Sequence, residues 1–176
     1  NDTFNQYNRQ SVIDNFIKNF QKNERSIISD IFYGVYEIHT KCQLCNQKAL
    51  SINFPNQNIL YNFQTFNFLI FPLEEIRRNV NINSNQVNIY DCFEYDRRTV
   101  IFEGDNSFFC NKCNQLTTSY YNNYIYSSPY YLILILTRGK DNAYNVKINF
   151  AETIDIGNYV QLKNQNQLFY SLYGVI

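Results

Sequence analysis

The chain opens with a helical pattern of apolar residues. Within residues 3–20 apolar side chains recur at intervals of three and four, at Phe4, Tyr7, Val12, Ile13, Phe16, Ile17 and Phe20. This spacing is typical of an amphipathic helix that buries one face. Ser26 is then the predicted N-cap of a second, short helix that runs through Phe32 and ends at Gly34.

After these two predicted helices the pattern changes to that of strands. Residues 35–40 alternate between apolar and polar, which predicts a strand that leads into Cys42. Residues 49–54 predict a second strand, and residues 63–72, where aromatic residues alternate up to a proline, predict one long half-buried strand. The uninterrupted apolar run of residues 130–136 predicts a central strand covered on both faces.

Three shorter elements complete the predicted fold. Residues 87–95 predict a helix that lies on a sheet, with Asn88 as its N-cap. Residues 103–106 have the composition of a turn, and the chain that follows predicts a hairpin returning through residues 115–126. The whole pattern therefore predicts an α+β fold with short N-terminal helices and a β-rich remainder.

Four cysteines form two Cys-x-x-Cys pairs. Cys42 and Cys45 make the first pair, and Cys110 and Cys113 make the second. Two intervening residues let both sulfurs of a pair reach one ion at about 2.3 Å, and four thiolates complete the tetrahedral site of a structural Zn²⁺. We therefore predict a zinc site that joins two distant segments. The alternatives are two disulfides or four unrelated buried thiols.

The fifth cysteine and the single histidine have less distinctive surroundings. Cys92 lies in an apolar stretch without a basic neighbour, which predicts a small, unreactive core residue. His39 lies in an alternating strand pattern beside polar residues, which predicts a surface position or one next to the zinc site.

Composition narrows the class of protein. The 176 residues suffice for one domain, and 16 Tyr and 15 Phe are too many for a disordered chain. Zero net charge without a basic run disfavours nucleic acid as a partner and leaves protein surfaces or small molecules. No apolar stretch has the length of a membrane span or a signal peptide, and zinc-type cysteines predict a reducing cytoplasmic or nuclear compartment.

A series of short motifs resembles the ubiquitin-specific proteases, a family of ubiquitin carboxyl-terminal hydrolases. In the family's order they are residues 23–34, the first Cys-x-x-Cys, residues 91–93, residues 103–106, the second Cys-x-x-Cys, residues 128–138 and residues 169–176. The resemblance implies a papain-like cysteine protease fold, in which a β-rich palm and zinc-ribbon fingers grip ubiquitin. It also implies that the four paired cysteines lie at the fingertips.

The activity implied by the resemblance is hydrolysis of the bond after the C-terminal glycine of ubiquitin. In the family a Cys thiolate attacks this bond, and a His and an Asp or Asn assist it. No segment of residues 1–176 resembles the family's nucleophile or histidine box. We therefore expect a partial domain, the fingers and palm of a cysteine-type deubiquitinase that binds ubiquitin or ubiquitinated proteins, with no catalytic residue of its own.

Two other functions fit parts of the sequence. One is a catalytically inactive pseudoprotease or scaffold that still binds ubiquitin. The other is a zinc-ribbon module for RNA or transcription factors, which the balanced charge disfavours.

Overall fold

The structure, a computed structural model, describes residues 9–45, 59–80, 85–142, 144–162 and 168–176. It mixes helices and strands, and the predicted α+β class is confirmed. None of the described helices combines the length and the hydropathy needed to cross a lipid bilayer. The helices are α1 (Arg9–Asn23), α2 (Ile27–Phe32), α3 (Leu73–Val80) and α4 (Ile89–Asp96), with 3₁₀ turns at Gly104–Asn106 and Lys140–Asn142.

The strands form one four-stranded sheet and several pairs. The larger sheet has the order β2-β1-β8-β5, and the pairs are β3 with β9, β4 with β10, β6 with β7 and β11 with β12. The strand bounds are β1 (Gly34–Cys42), β2 (Ile59–Phe66), β3 (Leu69–Pro72), β4 (Gln86–Asn88), β5 (Val100–Phe102), β6 (Phe108–Cys110), β7 (Gln115–Thr117), β8 (Ser119–Ser127), β9 (Leu134–Thr137), β10 (Lys147–Asn149), β11 (Thr153–Asp155) and β12 (Phe169–Ser171).

The chain divides into two compact units. The first unit is drawn from residues 1–25, 37–64 and 99–123, and the second from residues 26–36, 65–98 and 124–176. Strands β1, β2 and β8 each contribute residues to both units.

In the first unit, α1 buries one apolar face. Ile13 of this helix is fully buried, and the ring centroid of Phe16 lies 6.0 Å from that of Phe63 in β2. The predicted N-terminal helix is thus confirmed as Arg9–Asn23, and the start of the prediction lies outside the described residues.

A buried carboxylate also links α1 to β1. Arg9 donates from Nε and Nη2 to the two carboxylate oxygens of Glu37 at 2.6 Å each, and Nε2 of His39 lies 2.8 Å from the same carboxylate. Burial alone would raise the pKa of Glu37, but the hydrogen bonds from His39 and Arg9 outweigh it and hold this pKa below its ordinary value. Glu37 is therefore a buried charge that is fully paired.

The second unit contains an apolar core built around β3, α3 and α4. In β3 the side chains of Leu69 and Phe71 are buried, while Ile70 between them is exposed. The helices add residues at spacings of three and four, which place them on one helix face. The buried members of this core are Phe66, Leu69, Phe71, Leu73, Ile76, Val87, Ile89, Cys92, Phe93, Ile125, Val146, Ile154, Ile156 and Val160.

Both predicted N-caps are confirmed. The hydroxyl of Ser26 accepts a hydrogen bond from the backbone N–H of Ser29, and the hydroxyl of Ser29 accepts one from the backbone N–H of Ser26. Asn88 caps α4 and forms the same reciprocal pair with Asp91. The hairpin predicted around the second cysteine pair is also observed, as β6 and β7 followed by β8.

The prediction of one long strand over residues 63–72 is wrong. β2 ends at Phe66 and β3 begins at Leu69, and the two residues between them are both exposed. Two consecutive exposed residues break the alternation, so that Phe66 and Leu69 can both be buried. The strand predicted over residues 49–54 lies outside the described residues.

The prediction of a covered central strand over residues 130–136 is also wrong. Only Leu134–Thr137 is a strand, and within the described part of the chain it pairs with β3 alone, in parallel. The backbone N–H of Tyr131 donates instead to the carbonyl of Ile31 in α2 at 3.0 Å. The start of the apolar run is therefore bonded to α2 and does not extend the pairing of β3 with β9. Ile133 and Ile135 remain 44% and 39% exposed.

Gly34 has a packing role that differs from the predicted one. Helix α2 already ends at Phe32 with Tyr33 as its C-cap, and Gly34 begins β1. A Cβ atom at position 34 would lie 2.6 Å from Cε1 of Phe66 and 2.8 Å from the carbonyl oxygen of Ser127. The backbone can approach the buried Phe66 ring only because residue 34 has no side chain.

Replacing Gly34 by Ala should therefore destabilise the protein. We expect the free energy of unfolding to fall by about 1–3 kcal/mol, because a core ring and a strand carbonyl would both have to move. Urea denaturation of the variant measures this change. Gly174→Ala is the matched control, since its Cβ would meet nothing within 4 Å, and equal stability of the two variants would contradict the packing role.

Candidate metal centre

Four cysteine side chains converge in the first unit. Cys42 is the last residue of β1, Cys45 belongs to the helical turn of residues 43–45, Cys110 ends β6, and Cys113 lies in the turn between β6 and β7. Their Sγ atoms all lie within 4.8 Å of one another. The fold therefore brings together the two pairs that the sequence separates.

The backbone holds each pair in place. In the second pair the N–H of Asn114 donates to the carbonyl of Cys110 at 2.7 Å, and Asn114 has a left-handed conformation that closes the turn. In the first pair the N–H of Gln43 donates to the carbonyl of Thr118 at 2.9 Å. This bond joins the first Cys-x-x-Cys to the residue between β7 and β8.

The distances between the sulfurs fit a tetrahedral ion. Four sulfurs at about 2.3 Å from one zinc would lie roughly 3.8 Å apart. The Sγ atom of Cys45 is 3.3 Å from that of Cys113 and 3.7 Å from that of Cys110, and Cys42 is 3.9 Å from Cys113. A disulfide would require about 2.05 Å, and all five cysteines are free thiols. The four thiols are thus close enough together to hold one metal ion, and none of them forms a disulfide.

The thiols of Cys42 and Cys45 differ in how readily they ionise. Burial would raise the pKa of Cys42, but the hydroxyl of Thr117 and the backbone of Cys45 lower it to about 7. Burial and the neighbouring sulfurs raise the pKa of Cys45 well above its ordinary value. Once one sulfur is charged, the next one ionises only if a positive ion compensates it.

Cys92 lies outside this cluster, in the core of the second unit. It is fully buried on α4, and its Sγ lies 3.7 Å from the carbonyl oxygen of Asn88, to which it donates. Burial, and then the charge of Asp91, raise the pKa of Cys92 to about 12. The thiol is therefore neutral at physiological pH and unsuited to nucleophilic attack, in agreement with its predicted core role.

His39 is more enclosed than a surface residue. Its side chain is 17% exposed, with Nε2 against the Glu37 carboxylate and the ring edge-on to Tyr61 at a centroid distance of 4.8 Å. The surface position predicted for His39 is therefore wrong, because the ring is a partly buried partner of Glu37. The alternative, a position next to the zinc site, stays a prediction.

The sequence did not point to one further group at the cluster, the hydroxyl of Thr117. Its Oγ1 lies 3.1 Å from the Sγ atom of Cys42, and both residues are buried. Nothing in the spacing of the cysteines indicates this residue, because the register of β7 against β6 determines its position.

The chain is similar to known proteins over most of its length. The family model described as ubiquitin carboxyl-terminal hydrolase matches residues 3–176. Ubiquitin carboxyl-terminal hydrolase 19 of Arabidopsis thaliana is 24% identical over 156 residues, which are 87% of this chain and 20% of that protein. Ubiquitin carboxyl-terminal hydrolase 17-like protein B of Mus musculus is 26% identical over 156 residues, 87% of this chain and 29% of that protein.

A third relative matches a shorter part. Ubiquitin carboxyl-terminal hydrolase 16 of Arabidopsis thaliana is 31% identical over 100 residues, 55% of this chain and 10% of that protein. The chain thus spans less than a third of the length of these curated relatives.

Cys92→Ala tests whether this thiol is structural. We expect a loss of about 1 kcal/mol in the free energy of unfolding, because one buried sulfur is removed from a packed helix face. Urea denaturation measures the loss. In the native wild-type protein, iodoacetamide should leave Cys92 unmodified, and mass spectrometry of the peptide that contains it shows whether it does. Rapid alkylation of Cys92 before unfolding would contradict the assignment.

Proposed function

This chain belongs to the ubiquitin carboxyl-terminal hydrolase family, and from that premise we propose that residues 1–176 are the fingers and palm portion of a deubiquitinating enzyme. The parent enzyme hydrolyses the isopeptide or peptide bond after the C-terminal glycine of ubiquitin. This portion binds ubiquitin and a structural zinc ion. The observation that carries the proposal is the four-cysteine cluster inside a family match that extends over nearly the whole chain.

We propose that Cys42, Cys45, Cys110 and Cys113 hold the zinc ion. Four sulfur ligands leave no open coordination position, so the bound ion supplies folding energy and no reaction step. It fastens the end of β1 to the β6–β7 hairpin, two segments that no short loop connects. The sulfur distances and the absence of disulfides support this assignment.

The chain's own thiols and imidazole argue for a non-catalytic role of this portion. Hydrolysis by a cysteine protease needs a thiolate and a histidine that takes and returns a proton. Four of the five thiols belong to the metal cluster, Cys92 is buried and neutral, and His39 is held by Glu37. We therefore propose that the nucleophile and the general base of the parent are residues other than those of this chain.

The same observation favours a second candidate, a ubiquitin-binding protein without activity. The two candidates are distinguished by treating the parent polypeptide with ubiquitin that carries a C-terminal electrophile. An active enzyme forms a covalent adduct through its catalytic thiol, whereas a pseudoprotease binds the probe without forming a bond.

The zinc assignment predicts the metal content of the purified chain. Without chelators, we expect about one zinc ion per chain by elemental analysis. Cys110→Ser should lower zinc content and reduce amide protection in β6 and β7, while β3 in the second unit stays protected because its apolar core does not include the ion.

Cys92→Ala is the matched control for this experiment, since it also removes one thiol but should retain the zinc. A wild-type chain without zinc, or loss of protection throughout the protein in Cys110→Ser, would contradict the assignment.

The proposed division of roles predicts binding without turnover. We expect the 176-residue chain to leave a fluorogenic ubiquitin substrate uncleaved and to bind ubiquitin weakly, with a dissociation constant above about 10 μM, because tight binding depends on a complete set of central contacts. Titration of ¹⁵N-labelled ubiquitin measures this affinity, and Cys110→Ser should weaken it. Turnover that Cys92→Ser abolishes would contradict the proposal.

A further inference from the structure

The hydroxyl of Thr117 lies against the sulfur cluster from outside the four ligands. Its Oγ1 is 3.1 Å from the Sγ atom of Cys42, and the two residues are 5% and 9% exposed. Thr117 ends β7 and is paired with Phe108 of β6 in the antiparallel ladder. The same hairpin carries Cys110 and Cys113, so the backbone fixes the hydroxyl relative to the second Cys-x-x-Cys.

The chemistry of the two groups sets the direction of this hydrogen bond. A metal-bound cysteine is a thiolate, which has no proton and can only accept, whereas a threonine hydroxyl can donate. Hydrogen bonds to a charged acceptor are stronger than those between neutral groups. With Cys42 ionised, Thr117 is therefore the donor.

The burial of Cys42 makes such a donor important. Cys110 and Cys113 are partly exposed, so water can solvate their sulfurs, whereas Cys42 and Cys45 are both buried, and the hydroxyl of Thr117 lies against Cys42. A buried charge needs hydrogen bonds from the protein in place of those from water. Thr117 supplies one from a side chain that is itself held rigidly in the hairpin.

We propose that Thr117 is a positioning residue of the metal centre, whose hydroxyl donates to the Cys42 thiolate, orients its sulfur and increases the affinity of the site for zinc. The inference rests on the zinc site of the proposed function. Groups that hydrogen-bond to metal ligands in other proteins typically contribute about 10- to 100-fold in metal affinity.

Three variants test this role in the 176-residue chain. Thr117→Val keeps the shape of the side chain and removes the hydroxyl, and Thr117→Ser keeps the hydroxyl. Thr153→Val is the matched control, on an exposed threonine of β11 in the second unit. We expect Thr117→Val to weaken zinc binding about tenfold in competition with a chromophoric chelator, and the other two variants to stay within about twofold of the wild type.

A second readout separates the hydrogen bond from general loosening of the hairpin. In the cobalt-substituted protein, a hydrogen bond to the thiolate lowers the energy of the sulfur donor orbitals. Its loss should move the thiolate-to-cobalt charge-transfer band to longer wavelength in Thr117→Val but not in Thr117→Ser or Thr153→Val. Should the valine variant fail to fold, Thr117→Ala provides the same comparison.

The outcomes distinguish this inference from the zinc assignment. A wild-type chain that binds zinc tightly, together with an unchanged affinity and band position in Thr117→Val, would overturn the role of Thr117 alone. A wild-type chain that binds neither zinc nor cobalt would overturn both. An equal loss of zinc affinity in Thr117→Ser and Thr117→Val would also overturn the role of Thr117, because the hydroxyl would then have no effect on zinc binding.

Discussion

Four sulfur atoms within 4.8 Å of one another form the constraint on which the first unit depends. They come from the end of β1 and from the β6–β7 hairpin, which lie far apart in the sequence. Four thiolates at this spacing repel one another unless a cation compensates their charge, and this is the role that we propose for a bound zinc ion. The proposed ion would also close a long loop between the two pairs, which restrains the unfolded chain.

The second unit is stabilised by a different kind of interaction. Its core is a continuous set of buried apolar residues from β3, α3, α4 and the strands that follow them, and Cys92 is a small, neutral member of that set. The protein thus uses its cysteines in two ways. Four are close enough to share an ion, whereas the fifth packs as an apolar side chain.

Local signals in the sequence were sufficient for several features. Ser26 and Asn88 were identifiable as N-caps because a cap depends on residues three or four positions away. The paired cysteines were identifiable as candidate ligands because their spacing suits a tetrahedral metal ion. Features that depend on distant partners could not be predicted: the parallel pairing of β9 with β3, the contact between Gly34 and Phe66, and the approach of Thr117 to Cys42.

X-ray absorption at the zinc edge tests the central claim most directly, because it reports the atoms around the ion itself. For the purified 176-residue chain, the account predicts a single shell of about four sulfur atoms at about 2.3 Å from zinc. A shell containing nitrogen or oxygen ligands, or fewer than four sulfurs, would contradict a site built from Cys42, Cys45, Cys110 and Cys113.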